Sequence, residues 1–301
     1  MKKITAWIQA FRFRTLPLAF SCIFMGAFLA ASNGFFNWPI LIWSLVTTLF
    51  LQVLSNLAND YGDATSGVDG EHRTGPKRTV STGLISQSAM KKALIVFSLL
   101  SLCSGLWLIF LSFGDRWTEI IVFLVLGLGA IVAAIKYTVG KRPYGYAGFG
   151  DLFVLIFFGL VGVGGSYYLY AHTLNLLILL PALSCGLLAV GVLNVNNIRD
   201  IESDKLAGKH SIPVRIGRDN AIVYHWVLLS VAMVSSCVYV SIVNPRGFSF
   251  LFLLVLPMLF SNARAVKIKK TSEGLDPFLK QLALTTLIFV ILFGIGQVLF
   301  G

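Results

Sequence analysis

Apolar runs of about 20 residues recur along this chain, each long enough as a helix to cross a hydrocarbon layer about 30 Å thick. Inside such a layer every backbone N–H and C=O has to be satisfied within the protein. Repeated runs of this length therefore dictate a bundle of membrane-spanning helices. Nine spans are predicted, at 16–32, 39–57, 91–113, 118–138, 150–171, 174–197, 219–243, 247–263 and 280–300. Composition agrees: 56% of the 301 residues are hydrophobic and 12% charged, and mean hydropathy is +0.82. Soluble domains carry about 25% charged residues. The fold class expected is all-α: about nine helices around a central cavity, as a single domain over 1–301.

Loops after odd-numbered spans are short (SNGFFNW, GDRW, AHT, NPRG), whereas those after even-numbered spans are longer and basic. The N-terminal lead and the long loops hold 22 of the 24 Lys and Arg; Arg116 and Arg246 lie opposite. By the positive-inside rule the N-terminus and long loops face the cytoplasm. The basic amphipathic lead MKKITAWIQAFRFRTLP has no cleavage signal and reads as retained. The net charge of +11 follows from this asymmetry facing anionic headgroups, so the bilayer is the implied partner and nucleic acid need not be invoked. Trp38, Trp117, Tyr167, Tyr168 and Tyr170 fall at outer span ends, where an aromatic belt belongs. The four cysteines lie in apolar runs without CxxC spacing and read as small core residues. Gly162, Gly164 and Gly165 are expected to permit close helix packing.

Acids are concentrated in two windows. Following span 2, NLANDYGDATSGVD carries Asn56, Asp60, Asp63 and Asp69, with Glu71 beyond; following span 6, NVNNIRDIESD carries Asn196, Asp200, Glu202 and Asp204. Seven of the thirteen acids sit there. On helices, Asn56 and Asp60 share a face, as do Asn196, Asp200 and Asp204. One such window is readily a solvated turn cluster. Two at matching positions, four spans apart, read as one divided site between two parallel four-helix repeats with span 9 appended. Oxygen donors without Cys or a His pair suit a hard ion such as Mg2+.

Cations accompany the acids: Arg73, Lys77 and Arg78 after the first window, Lys141 and Arg142 after span 4, and Arg199, Lys205, Lys209, Arg215 and Arg218 in and after the second. Any single one is accounted for by the positive-inside bias. Arg199 stands out by lying inside the acid window, and Lys141 by its i, i+4 spacing from Tyr137, which would place both on one helix face. Acids, cations and a lipid-facing cavity together describe a diphosphate carried on an apolar chain. The chemistry would be ionisation of an allylic diphosphate, with metal and Lys/Arg neutralising the leaving group. A Phe/Tyr-rich cavity would shield the allylic cation from water. Asp151, opening span 5, reads as an N-cap residue or as a group that orients or deprotonates an acceptor.

NLANDYGD…GVD, the YxxxK of Tyr137 and Lys141, and the DxxxD of Asp200 and Asp204 occur in an order that resembles the UbiA superfamily of intramembrane aromatic prenyltransferases over essentially the whole chain. NLANDYGDATSGVD with YTVGKRPYGYAGFGD is most similar to the branch acting on 1,4-dihydroxy-2-naphthoate. The resemblance implies that Asn56, Asp60 and a further acid bind one Mg2+, and that Asp200 and Asp204 bind a second. It also implies that Lys141, Arg199 and Arg78 contact the diphosphate, with Asn56 and Asn196 beside it, while Tyr137 lies near the ionising carbon. Position 64 is Ala64 where the commonest pattern has an acid, leaving Asp63 or Asp69 as third ligand, with Asp69 favoured by the branch. The implied reaction joins a polyprenyl group from polyprenyl diphosphate to 1,4-dihydroxy-2-naphthoate with loss of its carboxylate, giving demethylmenaquinone. Alternatives are other aromatic acceptors, such as 4-hydroxybenzoate or homogentisate, and a secondary transporter, which would place charges mid-span.

Overall fold

The structure, a computed structural model, describes residues 2–66 and 78–299. Asp69, Glu71, Arg73 and Lys77 lie outside the described residues. Among the described residues nine helices are long and apolar enough to cross a membrane: Ile4–Ser32, Trp38–Thr65, Gln87–Phe113, Trp117–Lys136, Gly150–Ala171, Leu176–Arg199, Arg218–Val243, Gly247–Ile268 and Ser272–Leu299. They are called spans 1 to 9 below. The nine-helix expectation holds, and the boundaries move where polar residues extend a helix. Span 2 runs on to Thr65 and so contains most of the first acid window, and span 9 begins two turns earlier than its apolar run, taking in Asp276.

Span ends follow local chemistry. Asn37 accepts from the Ile40 N–H ahead of span 2, whose first turn carries Pro39, and Ser86 accepts from the Ala89 N–H ahead of span 3. Span 1 is broken at Arg12, whose backbone is left-handed (φ 49). The Thr15 hydroxyl donates to the Arg12 carbonyl across that break. Before the break, Ala6 and Ala10 are buried in a cluster with Leu54, Leu57 and Ala58 of span 2, so the basic lead is a packed helix.

Span 2 packs extensively on span 3 and span 6 on span 7, the same pairing four spans on, and span 6 packs as closely on span 5. Span 9 fills the space between spans 1, 6 and 8. Lipid supplies little hydrophobic force between helices, so close approach and polar contacts hold them. A Cβ on Gly26 of span 1 would lie 2.7 Å from Ser166 Cβ of span 5, and one on Gly159 would lie 2.7 Å from the Ala182 carbonyl of span 6. Of the three glycines expected at such contacts, Gly162 meets Cys22, whereas Gly164 has nothing within 4 Å and Gly165 only ordinary contacts. These glycines lie in a π-helical stretch, Leu155–Gly165, in the middle of span 5. Between spans 6 and 7, Ser184 donates to the Ala232 carbonyl and Ser236 donates to Ser184.

The aromatic belt is only partly as expected. Trp38 and Trp117 are exposed, but Tyr167 and Tyr170 are buried, with Tyr170 stacked on Phe36. Their positions on span 5 turn inward because that helix is packed on both sides, which a run of tyrosines does not reveal. Cys22 and Cys185 are core residues, while Cys103 is exposed.

Candidate active site

A cavity of about 1000 Å3 is lined by residues of both acid windows. Its wall divides by chemistry. Asn56, Asp60, Asp63, Asn196, Asp200 and Asp204 line it where spans 2 and 6 end, and Leu108, Phe123, Leu126, Phe157, Phe158 and Leu169 line it along the middle of the bundle. Span 4 contributes one face to this wall, and Ala133 is its one buried residue.

Because span 2 continues to Thr65, its acids keep helical spacing. Gly62 makes this possible: a Cβ there would sit 2.6 Å from the Thr138 carbonyl oxygen, so the segment after span 4 lies directly on the helix backbone. The Thr138 hydroxyl donates to the Ala58 carbonyl across the same seam. Asp60 is 1% exposed and accepts from the Thr79 hydroxyl at 2.6 Å, the Thr79 N–H at 3.2 Å and the Val80 N–H at 3.3 Å. Asp63, equally buried, accepts from the Tyr146 hydroxyl and pairs with Arg78, which also donates to the Asn59 carbonyl. The Asn56 amide donates to the Phe11 carbonyl at 2.9 Å and the Thr15 hydroxyl at 3.0 Å, fastening span 2 to the break in span 1.

In the second window span 6 ends at Arg199, Asp200 leaves the helical region, and a short helix Ile201–Leu206 follows. Asn196, Asp200 and Asp204 nonetheless all remain on the cavity wall. Arg199 grips Asp200 with two nitrogens, at 2.6 and 2.8 Å, and also donates to Asn196 at 2.9 Å and Asp276 at 2.7 Å. Lys209 Nζ lies 3.2 Å from Asp204 and 3.8 Å from Asp63, joining the two windows. It also sits over the Tyr146 ring, 4.8 Å from its centre.

Two sequence-based placements are corrected. Span 4 stops at Lys136, and Gly140 has a positive φ of 122°, so Tyr137 and Lys141 do not share a helix face. Tyr137 lines the cavity, enclosed by Gly145 and Gly150, whereas Lys141 is exposed and outside the wall. Asp151 caps nothing with its side chain; it is buried, off the cavity wall, and accepts from the Tyr224 hydroxyl at 3.1 Å. Burial raises the Tyr137 phenol, and the Asp151 carboxylate adds to that rise.

Thr79, Tyr146, Asp276 and Lys280 were not singled out by motif, yet all line the cavity. A signal existed for two of them: Asp276 and Lys280 are i, i+4 at the start of span 9. Arg14 lies 3.5 Å from Asp276, so the break in span 1 also meets this group.

Among the described residues no three His, Cys, Asp or Glu side chains converge on one point. The donor set where spans 2 and 6 end still fits a hard divalent cation: Asp60, Asp63, Asp200 and Asp204 with Asn56 and Asn196, all oxygen donors. Burial raises the Asp204 carboxyl above its ordinary value, Lys209 beside it opposes that rise, and Asp200 and Asp63 add to it.

Residues 19–296 match the model of the UbiA prenyltransferase family. The chain belongs to that family. It is 44% identical over 297 residues to the 1,4-dihydroxy-2-naphthoate octaprenyltransferase of Haemophilus influenzae, a match covering 98% of this chain and 96% of that protein. Its fold is that of the UbiA homolog from Aeropyrum pernix K1, at a TM-score of 0.69 and 17% identity over 94% of this chain and 97% of the other. It also matches the UbiA homolog from Archaeoglobus fulgidus bound to GPP and Mg2+, at a TM-score of 0.61 and 16% identity over 95% and 98%. The chain is thus an integral membrane enzyme, an aromatic prenyltransferase of the UbiA family. The transporter alternative falls.

Proposed function

We propose that this enzyme moves a polyprenyl group from polyprenyl diphosphate to 1,4-dihydroxy-2-naphthoate, with loss of the acceptor's carboxylate, to give demethylmenaquinone. The carrying observation is the polarity of one cavity, acids and arginines at one end and Phe/Leu walls along the rest. A diphosphate head and a long apolar tail need that gradient in a single space. The likeness to the Haemophilus enzyme supports the acceptor, and the Archaeoglobus homolog, which shares the fold, supports a metal-bound diphosphate.

In this reading Asp60 with Asn56 and Asp63 or Asp69 on one side, and Asp200 and Asp204 on the other, hold Mg2+. The ion, when bound, neutralises charge on the departing diphosphate. Arg78 and Arg199 face the phosphate oxygens and share that work; both are buried among carboxylates and so are held in place before substrate arrives. Lys141, exposed, would reach the diphosphate only by turning inward. Tyr137 sits where the apolar wall begins, close to the carbon that ionises, and its neutral ring faces the allylic cation. Phe153, Phe157 and Phe158 exclude water from that cation. Asp151 acts through Tyr137 and Tyr224, orienting the aromatic end of the pocket. The whole of 1–301 acts as one unit, with the N-terminus and site in the cytoplasm.

The test is direct. Membranes containing the enzyme are incubated with Mg2+, a long prenyl diphosphate and, separately, 1,4-dihydroxy-2-naphthoate, 4-hydroxybenzoate or homogentisate, and products are identified by mass. Decarboxylated prenyl naphthoquinol, lost in excess chelator, is the expected outcome. Product from another acceptor alone, or full activity in chelator, overturns the reading.

A further inference from the structure

Lys209 reaches acids of both windows. Its side chain is 14% exposed, and its ammonium bridges acids from the two windows, 3.2 Å from Asp204 and 3.8 Å from Asp63. Its own N–H donates to the Asp204 carbonyl at 2.9 Å, so side chain and backbone are anchored to the same residue. The neighbouring His210 N–H donates to the Tyr146 carbonyl at 2.8 Å, and the Tyr146 ring lies under the ammonium. Two buried carboxylates from separate halves repel unless a cation stands between them. Here the protein supplies one from its own chain.

We propose that Lys209 is a built-in counter-cation, holding the two acid windows together before substrate arrives and yielding that place to the metal–diphosphate complex. The proposal rests on the metal reading given above. Asp204, which holds the second ion in that reading, cannot satisfy an ammonium and a divalent ion fully at the same oxygens. Entry of the divalent ion therefore frees the ammonium, whose nearest new partner is a phosphate oxygen that the same ion brings in. Lys209 then opposes metal alone and favours metal with diphosphate, so that the site fills as a unit. Metal held without substrate would leave the site charged and open to water.

The test uses full-length protein in detergent, with Mn2+ as a paramagnetic probe and inorganic pyrophosphate as the anion. In Lys209→Met, with Lys209→Gln as a second variant, Mn2+ alone should bind about ten-fold tighter than to the parent protein, because a competing charge is gone. Pyrophosphate in the presence of Mn2+ should bind about ten-fold more weakly, because a buried cation partner is lost. Lys209→Arg should keep both affinities close to those of the parent. The opposite signs are diagnostic, since a merely structural lysine would weaken both. Unchanged or weaker Mn2+ binding in the Met and Gln variants, beside normal binding by the parent, overturns this proposal alone. No Mn2+ binding by the parent, even with pyrophosphate, overturns the metal reading and this proposal with it.

Discussion

Arg199 Nη1 lies 2.7 Å from Asp276 Oδ1, so the arginine of the second acid window is held from the last membrane span. That span reads from sequence as an appended helix, and the contact makes it part of the site. Asp276→Asn keeps the shape and removes the charge that helps aim Arg199 and Arg14. Its kcat/KM for the prenyl diphosphate should fall about ten-fold, about 1.4 kcal/mol of transition-state stabilisation, and Asp276→Glu should recover part of it. Unchanged kinetics in Asp276→Asn would show that Asp200 and Asn196 position Arg199 unaided.

Asp60→Asn and Asp200→Asn should each lower turnover at least about a hundred-fold, a few kcal/mol at the transition state. Asparagine keeps one acceptor oxygen for Thr79 but turns an NH2 toward the Val80 N–H, so Asp60→Asn should stay folded and melt modestly below the parent protein. Thermal unfolding in detergent, read beside turnover, separates loss of chemistry from loss of fold.

Asp63 and Asp69 should differ in kind. Asp63→Ala strips the buried Arg78 and Lys209 of a shared carboxylate, and breaking a buried pair costs about 3–5 kcal/mol. That variant should therefore lose thermal stability together with activity. Asp69→Ala should depress turnover as strongly as the Asp60 change while leaving melting unaltered. The reverse pattern would make Asp63 the third metal ligand.

Gly62→Ala puts a methyl 2.6 Å from the Thr138 carbonyl, backbone against backbone, where neither side can give way cheaply. Overpacking of this sort costs about 1–3 kcal/mol. A lower melting temperature with reduced turnover is expected, and a silent substitution would mean that the seam is slack.

Orientation is tested by single cysteines in a background lacking the four native ones. Positions Ser66, Arg142 and Lys205, all exposed, should be shielded from an impermeant thiol reagent added to intact cells. Asn33 and Pro245, exposed on the short loops, should be labelled. The choice of Pro245 avoids Asn244, which is buried against Ser249. Labelling of Ser66 or Lys205 positions from outside would invert the protein.

The span count and the two acid windows were legible because the bilayer fixes the length of an apolar run and makes a cluster of acids at its edge conspicuous. What the run does not show is how far a helix continues into polar sequence. Asn, Asp and Gly are poor helix formers, yet span 2 persists to Thr65 because Thr79 and Thr138 hold it from other parts of the chain. At Lys141 helical spacing fails, because span 4 has already stopped at Lys136 and Gly140 turns the chain with a positive φ. Asp276 and Pro277 lie before the apolar run of span 9, yet its helix contains both. Tyr146 carries no periodic signal at all; only the fold brings it to Asp63.

Among the described residues, Asp63 meets partners at positions 78, 146 and 209, in the order in which the chain is made. A ribosome adds residues from the N-terminus, and early segments settle before later ones exist. Spans 1 to 3 can therefore be in the bilayer while the first acid window still lacks Tyr146 and Lys209. Asp63 meets Lys209 only when the segment after span 6 emerges, so the enzyme is assembled around an acid that waits for about two-thirds of its own chain to be synthesised.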